Sequence, residues 1–126
     1  STVMSGRSEI QRPYRNSEYR IRPVSREAEK GWRDLVATSR NAAVAAWEFL
    51  AATPTEPSEV CYRLRDALAT VTIDGVGHDR WQHKPTAGGR IWYAVIPPNS
   101  KAKEPGQVLL ERVMTGHPNE TIKNHR

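Results

Sequence analysis

Three stretches in the C-terminal half carry the pattern of β-strands. Residues 90–96 (RIWYAVI) are apolar and aromatic, with Ile91, Tyr93 and Val95 on one parity and Arg90 and Trp92 on the other. A strand with that alternation buries the first set and turns the second outward. Residues 80–84 (RWQHK) form a shorter stretch ending at Pro85, and 108–114 (VLLERVM) form the third. Pro85-Thr86-Ala87-Gly88-Gly89 is a glycine-rich turn of hairpin type, whereas Pro97-Pro98-Asn99-Ser100 and the Lys/Glu/Gly/Pro run after it make a longer loop. Strands joined so briefly are most simply antiparallel.

In the N-terminal half the period changes. Residues 18–24 predict a strand, with Tyr19 and Ile21 alternating with Arg20 and Arg22, and Pro23 marking an edge or an end. Ser25 is a good N-cap, Glu27 and Glu29 suit the positive end of a helix, and Trp32, Leu35 and Val36 follow at helical spacing. A helix is expected over 26–38. Thr38-Ser39-Arg40-Asn41 interrupts it, and the alanine-dense run 42–52 predicts a second helix with Ala43, Trp47 and Leu50 on one face. So short a link folds the pair back as an αα-hairpin, which Thr53-Pro54-Thr55-Glu56-Pro57 ends. Beyond it, Ser58 caps a third short helix through Val60, Leu64, Leu68 and Val71, or else 70–73 is extended, as its β-branched residues favour. Asp74-Gly75-Val76-Gly77 is a turn in either case. The polar, Arg-rich residues 1–17 predict a flexible arm. The expected fold is α+β: one domain over 18–126, a small antiparallel sheet with the N-terminal αα-hairpin on one face and the other face open.

Charge sharpens the picture of that open face. The chain carries 19 Lys and Arg against 14 Asp and Glu. Residues 25–75 are net −2, while residues 76–126 are net +4 and hold all four histidines. Positive charge therefore gathers where the sheet is expected, which favours polyanionic partners. A single cysteine, Cys61, excludes an intrachain disulfide and a multi-cysteine zinc site, and fits a reducing compartment. With no apolar run long enough to span a bilayer and no signal-peptide pattern, the expected location is cytoplasmic, with no membrane partner. The histidines have no metal-site spacing, and the sequence calls for no cofactor.

The element order together with particular motifs resembles the RelE/ParE superfamily of bacterial toxins from toxin–antitoxin pairs. The resemblance spans 19–121 and rests on Trp81-Gln82-His83-Lys84, then Arg90-Ile91-Trp92-Tyr93-Ala94-Val95, and a final loop Gly116-His117-Pro118. It implies a RelE-like domain, a cognate antitoxin as partner, and metal-independent cleavage of RNA, typically messenger RNA on the ribosome. A non-catalytic ParE-like poison of DNA gyrase is the alternative, and a plain RNA-binding domain unrelated to toxins is a third class. Cleavage by 2′-OH attack requires proton transfer to and from the sugar oxygens, and cations on the phosphate.

The resemblance implies Arg90 at the scissile phosphate, His117 as a proton-transfer group and Lys84 as a catalytic cation. Arg80, His83, Trp92 and Asn119 are the expected substrate-binding residues. Members that carry the terminal histidine often follow it with a tyrosine; here Pro118 intervenes, so Asn119 or Glu120 takes part of that work. Lys84 and His83 are adjacent and point to opposite faces of a regular strand. A core-facing Trp81 turns His83 inward with it, which favours Lys84 for the open face. Cys61 is expected to be a buried apolar residue.

Overall fold

The computed structural model describes residues 9–116. Its elements are β1 (Arg20–Pro23), α1 (Arg26–Thr38), α2 (Arg40–Ala52), β2 (Cys61–Arg63), β3 (Thr70–Ile73), β4 (Val76–Asp79), β5 (Trp81–His83), β6 (Arg90–Ile96) and β7 (Gln107–Met114). Five strands form one sheet in the order β1-β7-β6-β5-β2, and β3 pairs with β4 in a separate hairpin. The two helices pack on one face of the five-stranded sheet, an α+β arrangement. Among the described residues, no helix is long and apolar enough to cross a membrane.

The helices form where the spacing predicts. The Ser25 hydroxyl accepts from the Ala28 N–H at 3.1 Å, closing the N-terminus of α1. Ala28, Gly31 and Leu35 form its buried stripe. A Cβ at Gly31 would collide with the Val113 carbonyl, so glycine is what lets α1 lie directly on β7. Ser39 alone separates the helices, and α2 contributes Ala43, Ala46, Leu50 and Ala51 to the same core. Small residues on both helices bring their backbones close to the sheet, where Ile91, Tyr93, Val108, Leu110 and Val113 face them.

One expectation needs correction and one open alternative is decided. The sheet is mixed, because β1 runs parallel to β7, with Ile21 opposite Val108. Only strands joined by hairpins are forced antiparallel, and β1 reaches β7 across most of the chain. Of the two readings of 58–73, the extended one holds over 70–73 and the third helix does not form. Its residues instead provide β2, one 3-10 turn at Asp66–Leu68, and β3, which turns into β4 through Asp74 and Gly75, both at positive φ (51° and 82°). Two successive positive-φ residues make the type I′ turn that matches strand twist.

The N-terminal segment is described from residue 9 onward. In its described part, Arg12 binds both carboxylate oxygens of Glu18 at 3.1 and 2.6 Å, and Tyr14 stacks on Trp47 of α2 with ring centroids 5.3 Å apart. The Tyr14 hydroxyl accepts from the Ile21 N–H at 3.0 Å. That contact blocks one outward-facing donor of edge strand β1, and Pro23 has none to offer, so this edge is closed to a further strand.

Candidate active site

The face of the sheet away from the helices carries Lys84, Arg90 and Trp92 of the expected site, and a β-bulge shapes it. Along β7, Val108 and Leu110 turn toward the helices, and regular alternation would send Arg112 after them. Instead the register with β6 shifts between Trp92 and Tyr93, so that Tyr93 opposes Leu110 and Trp92 opposes Arg112, leaving Glu111 as the extra residue. Both Glu111 and Arg112 therefore reach the open face, and Val113 returns to the core at 5% exposure.

One row of side chains crosses four strands on that face: Tyr62 on β2, Gln82 on β5, Trp92 on β6 and Arg112 on β7. An indole N–H can only donate, so Gln82 must turn its Oε1 to Trp92 Nε1, at 2.9 Å, and its Nε2 to the Tyr62 hydroxyl, at 3.0 Å. Tyr62 is thereby an acceptor toward Gln82, and its own hydrogen points elsewhere. The Lys84 ammonium lies 5.3 Å from the centroid of the Tyr62 ring. Tyr62 has a pKa lowered from the ordinary 10, chiefly because the nearby Lys84 ammonium favours the phenolate. Burial opposes this, while the Lys84 charge, the Gln82 amide and the Arg90 charge add to it.

Arg90 is braced by the turn before it. Its Nη1 donates to the carbonyls of Ala87 at 2.9 Å and Gly89 at 2.7 Å, and the turn is tied by a Gly89 N–H to Thr86 Oγ1 bond of 2.8 Å. Among the described residues its Nε and Nη2 carry no hydrogen bond, so that edge of the guanidinium can take an anion. Lys84, Arg90 and Arg112 have no carboxylate partner among the described residues.

Other expected site residues lie differently. Arg80 is committed to the protein: Nε and Nη2 donate to the two carboxylate oxygens of Glu111, each at 2.8 Å, and Nη1 to the Leu68 carbonyl at 3.2 Å. Trp92 already carries guanidinium groups, Arg80 at 4.9 Å and Arg112 at 5.9 Å from its ring. His83 is on the helix side, 8% exposed and stacked on Phe49 at 5.0 Å, so it does not reach the open face; Trp81 takes it inward, as the parity predicts. Burial lowers its pKa. His117 and Asn119 lie outside the described residues.

Cys61 is fully buried with its pKa raised by burial. Tyr93 donates to the Pro54 carbonyl at 2.7 Å, so in its 3.0 Å contact with Cys61 the thiol is the donor. Tyr62, Gln82 and Arg112 were absent from the expected site. Tyr62 was hidden because β2 is three residues long and its strand character comes from pairing with β5. The chain matches no known protein-family model and no curated protein.

Proposed function

We propose that this chain is an endoribonuclease toxin of the RelE/ParE type, which cuts messenger RNA on the ribosome by 2′-OH attack and is held idle by a cognate antitoxin. The observation that carries this reading is the convergence of Lys84, the free edge of Arg90 and the Tyr62 phenol on a sheet face that the helices leave open. Those groups match what the reaction demands. Arg90 and Lys84 oppose the charge that grows on the phosphate oxygens, and a titratable hydroxyl beside them can move a proton. Arg22 on β1 shares the face with Arg112, which extends the positive surface along a bound strand. In support of the reading, β1, the helical hairpin and the antiparallel β5, β6 and β7 occur in the order on which the resemblance rests.

The test is single-turnover cleavage of a defined messenger RNA, with and without ribosomes and in the presence of EDTA. Arg90→Ala should slow cleavage roughly a hundredfold with little change in binding, and Arg90→Lys should recover little, because an ammonium lacks the two-pronged contact. Expression of the chain alone should arrest bacterial growth. Growth arrest without cleavage of any RNA, together with inhibited gyrase, would instead support the binding-poison alternative.

A further inference from the structure

The hydrogen-bond row on the open face has a direction. Trp92 donates to Gln82, and Gln82 donates to Tyr62, so the row delivers a donor to the Tyr62 oxygen and leaves the Tyr62 hydrogen directed away from the row. Gln82 cannot reverse, because its oxygen is held by a group that only donates. The charged groups acting on the phenol are Lys84 at the end of β5 and Arg90 on β6, both positive. Arg112 lies beyond Trp92 in the same row, and the Arg80–Glu111 pair is closed on itself. A hydroxyl so placed gives up a proton more readily than it takes one. The negative charge left on its oxygen meets a fixed amide donor and two cations.

We propose that Tyr62 is the general acid of this site, passing its phenolic proton to the 5′-oxygen that leaves when the RNA chain is cut. The proposal rests on the nuclease reading. In the step, the 2′-oxygen forms its bond to phosphorus and the P–O5′ bond breaks, its electron pair staying on O5′. The Tyr62 proton goes to O5′, giving a 5′-hydroxyl and a 2′,3′-cyclic phosphate. The 2′-OH proton leaves to a separate base, and water later returns a proton to the phenolate. Gln82 and Trp92 are positioning residues, acting on the substrate only through Tyr62. The lowered phenol pKa fits this role, since it makes the group a stronger acid.

The experiment compares wild type, Tyr62→Phe and Gln82→Ala on ordinary RNA and on RNA with sulfur in place of the bridging 5′-oxygen at the cleaved bond. A thiolate leaves without needing a proton. On ordinary RNA, Tyr62→Phe should be roughly a hundredfold slower and lose the fall in rate at alkaline pH. On the sulfur substrate its rate should return to within a few-fold of wild type. Gln82→Ala should keep the alkaline fall but move it to higher pH, because the phenolate loses a donor. Replacing Tyr62 by 3-fluorotyrosine, which preserves shape and acidifies the phenol, should move that fall to lower pH. Equal slowing of Tyr62→Phe on both substrates, or full speed on ordinary RNA, would overturn the proposal while the nuclease reading stands. A wild-type protein that cuts neither RNA overturns the nuclease reading and this proposal with it.

Discussion

Arg80→Met separates a structural arginine from a substrate-binding one. The guanidinium meets both oxygens of Glu111 at 2.8 Å, and the two side chains are 12% and 16% exposed. Removing one member of a fully buried pair costs about 3–5 kcal/mol, because the other charge is left without a partner. The residual exposure here lets water reach Glu111, which brings the expected loss to about 2–3 kcal/mol. Losing the guanidinium from the Trp92 ring adds about 0.5–1 kcal/mol. Removing Glu111 as well takes away the stranded charge, so Arg80→Met combined with Glu111→Leu should recover about 2 kcal/mol relative to the sum of the single changes. Urea unfolding of the four proteins measures this, with an unchanged dependence on urea showing that the folded and unfolded states keep their compactness. RNA affinity of the folded Arg80→Met, Glu111→Leu double variant should stay within about twofold of wild type, since the pair carries no net charge and the donors of Arg80 already have protein partners. A loss of stability under about 1 kcal/mol in Arg80→Met, with the affinity of the double variant falling tenfold, would refute this and return Arg80 to the substrate.

Three further outcomes are expected. Tyr93→Phe keeps the ring but leaves the buried Pro54 carbonyl and Cys61 thiol without their partner, and should lose about 1–3 kcal/mol in a chemical melt. Glu18 has its pKa lowered from 4.5 to about 2 by the Arg12 side chain and the Arg15 N–H, so the contribution is complete above pH 4.5 and fades as pH falls toward 2; wild type should lose its advantage over Glu18→Gln in thermal melts across that interval. RNA affinity should fall steeply with salt, and Arg112→Gln should lower the slope of log affinity against log salt by about 0.7 if that side chain meets a single-stranded phosphate.

The helices were legible because their signals are local. Ser25, the acidic first turn and the recurrence of Leu35 and Val36 all act within α1, and the structure returns it at the expected ends. The parity of β6 was legible for the same reason: Ile91 and Tyr93 face the core. What the local pattern could not carry was direction and partnership. Nothing in 20–23 distinguishes parallel from antiparallel pairing with β7, and the three residues of β2 are a strand only because β5 lies beside them. One signal was read only in part. Asp74-Gly75 after the β-branched run 70–73 is the pattern of a two-residue hairpin, so the expected four-residue turn is shorter and Val76 and Gly77 belong to β4. In 108–114 both parities carry apolar residues, Val108, Leu110 and Met114 on one and Leu109 and Val113 on the other, so the sequence leaves open which way Glu111 and Arg112 face. The bulge that decides it shows only in the register with β6.

The bulge links the fold to the site. A regular β7 that kept Leu110 in the core would turn Arg112 inward and Val113 outward, losing a cation from the open face and an apolar residue from beneath α1. Shifting the register at Glu111 avoids both, and it brings Glu111 to Arg80. The pair cancels one positive charge at the margin of the row, so Lys84, Arg90 and Arg112 are what an anion arriving on this face would meet. The same shift places Arg112 opposite Trp92, whose indole N–H holds Gln82, which in turn holds Tyr62. One extra residue in an outer part of the sheet thus settles which charges face outward and completes the row of side chains that ends at the phenol three strands away.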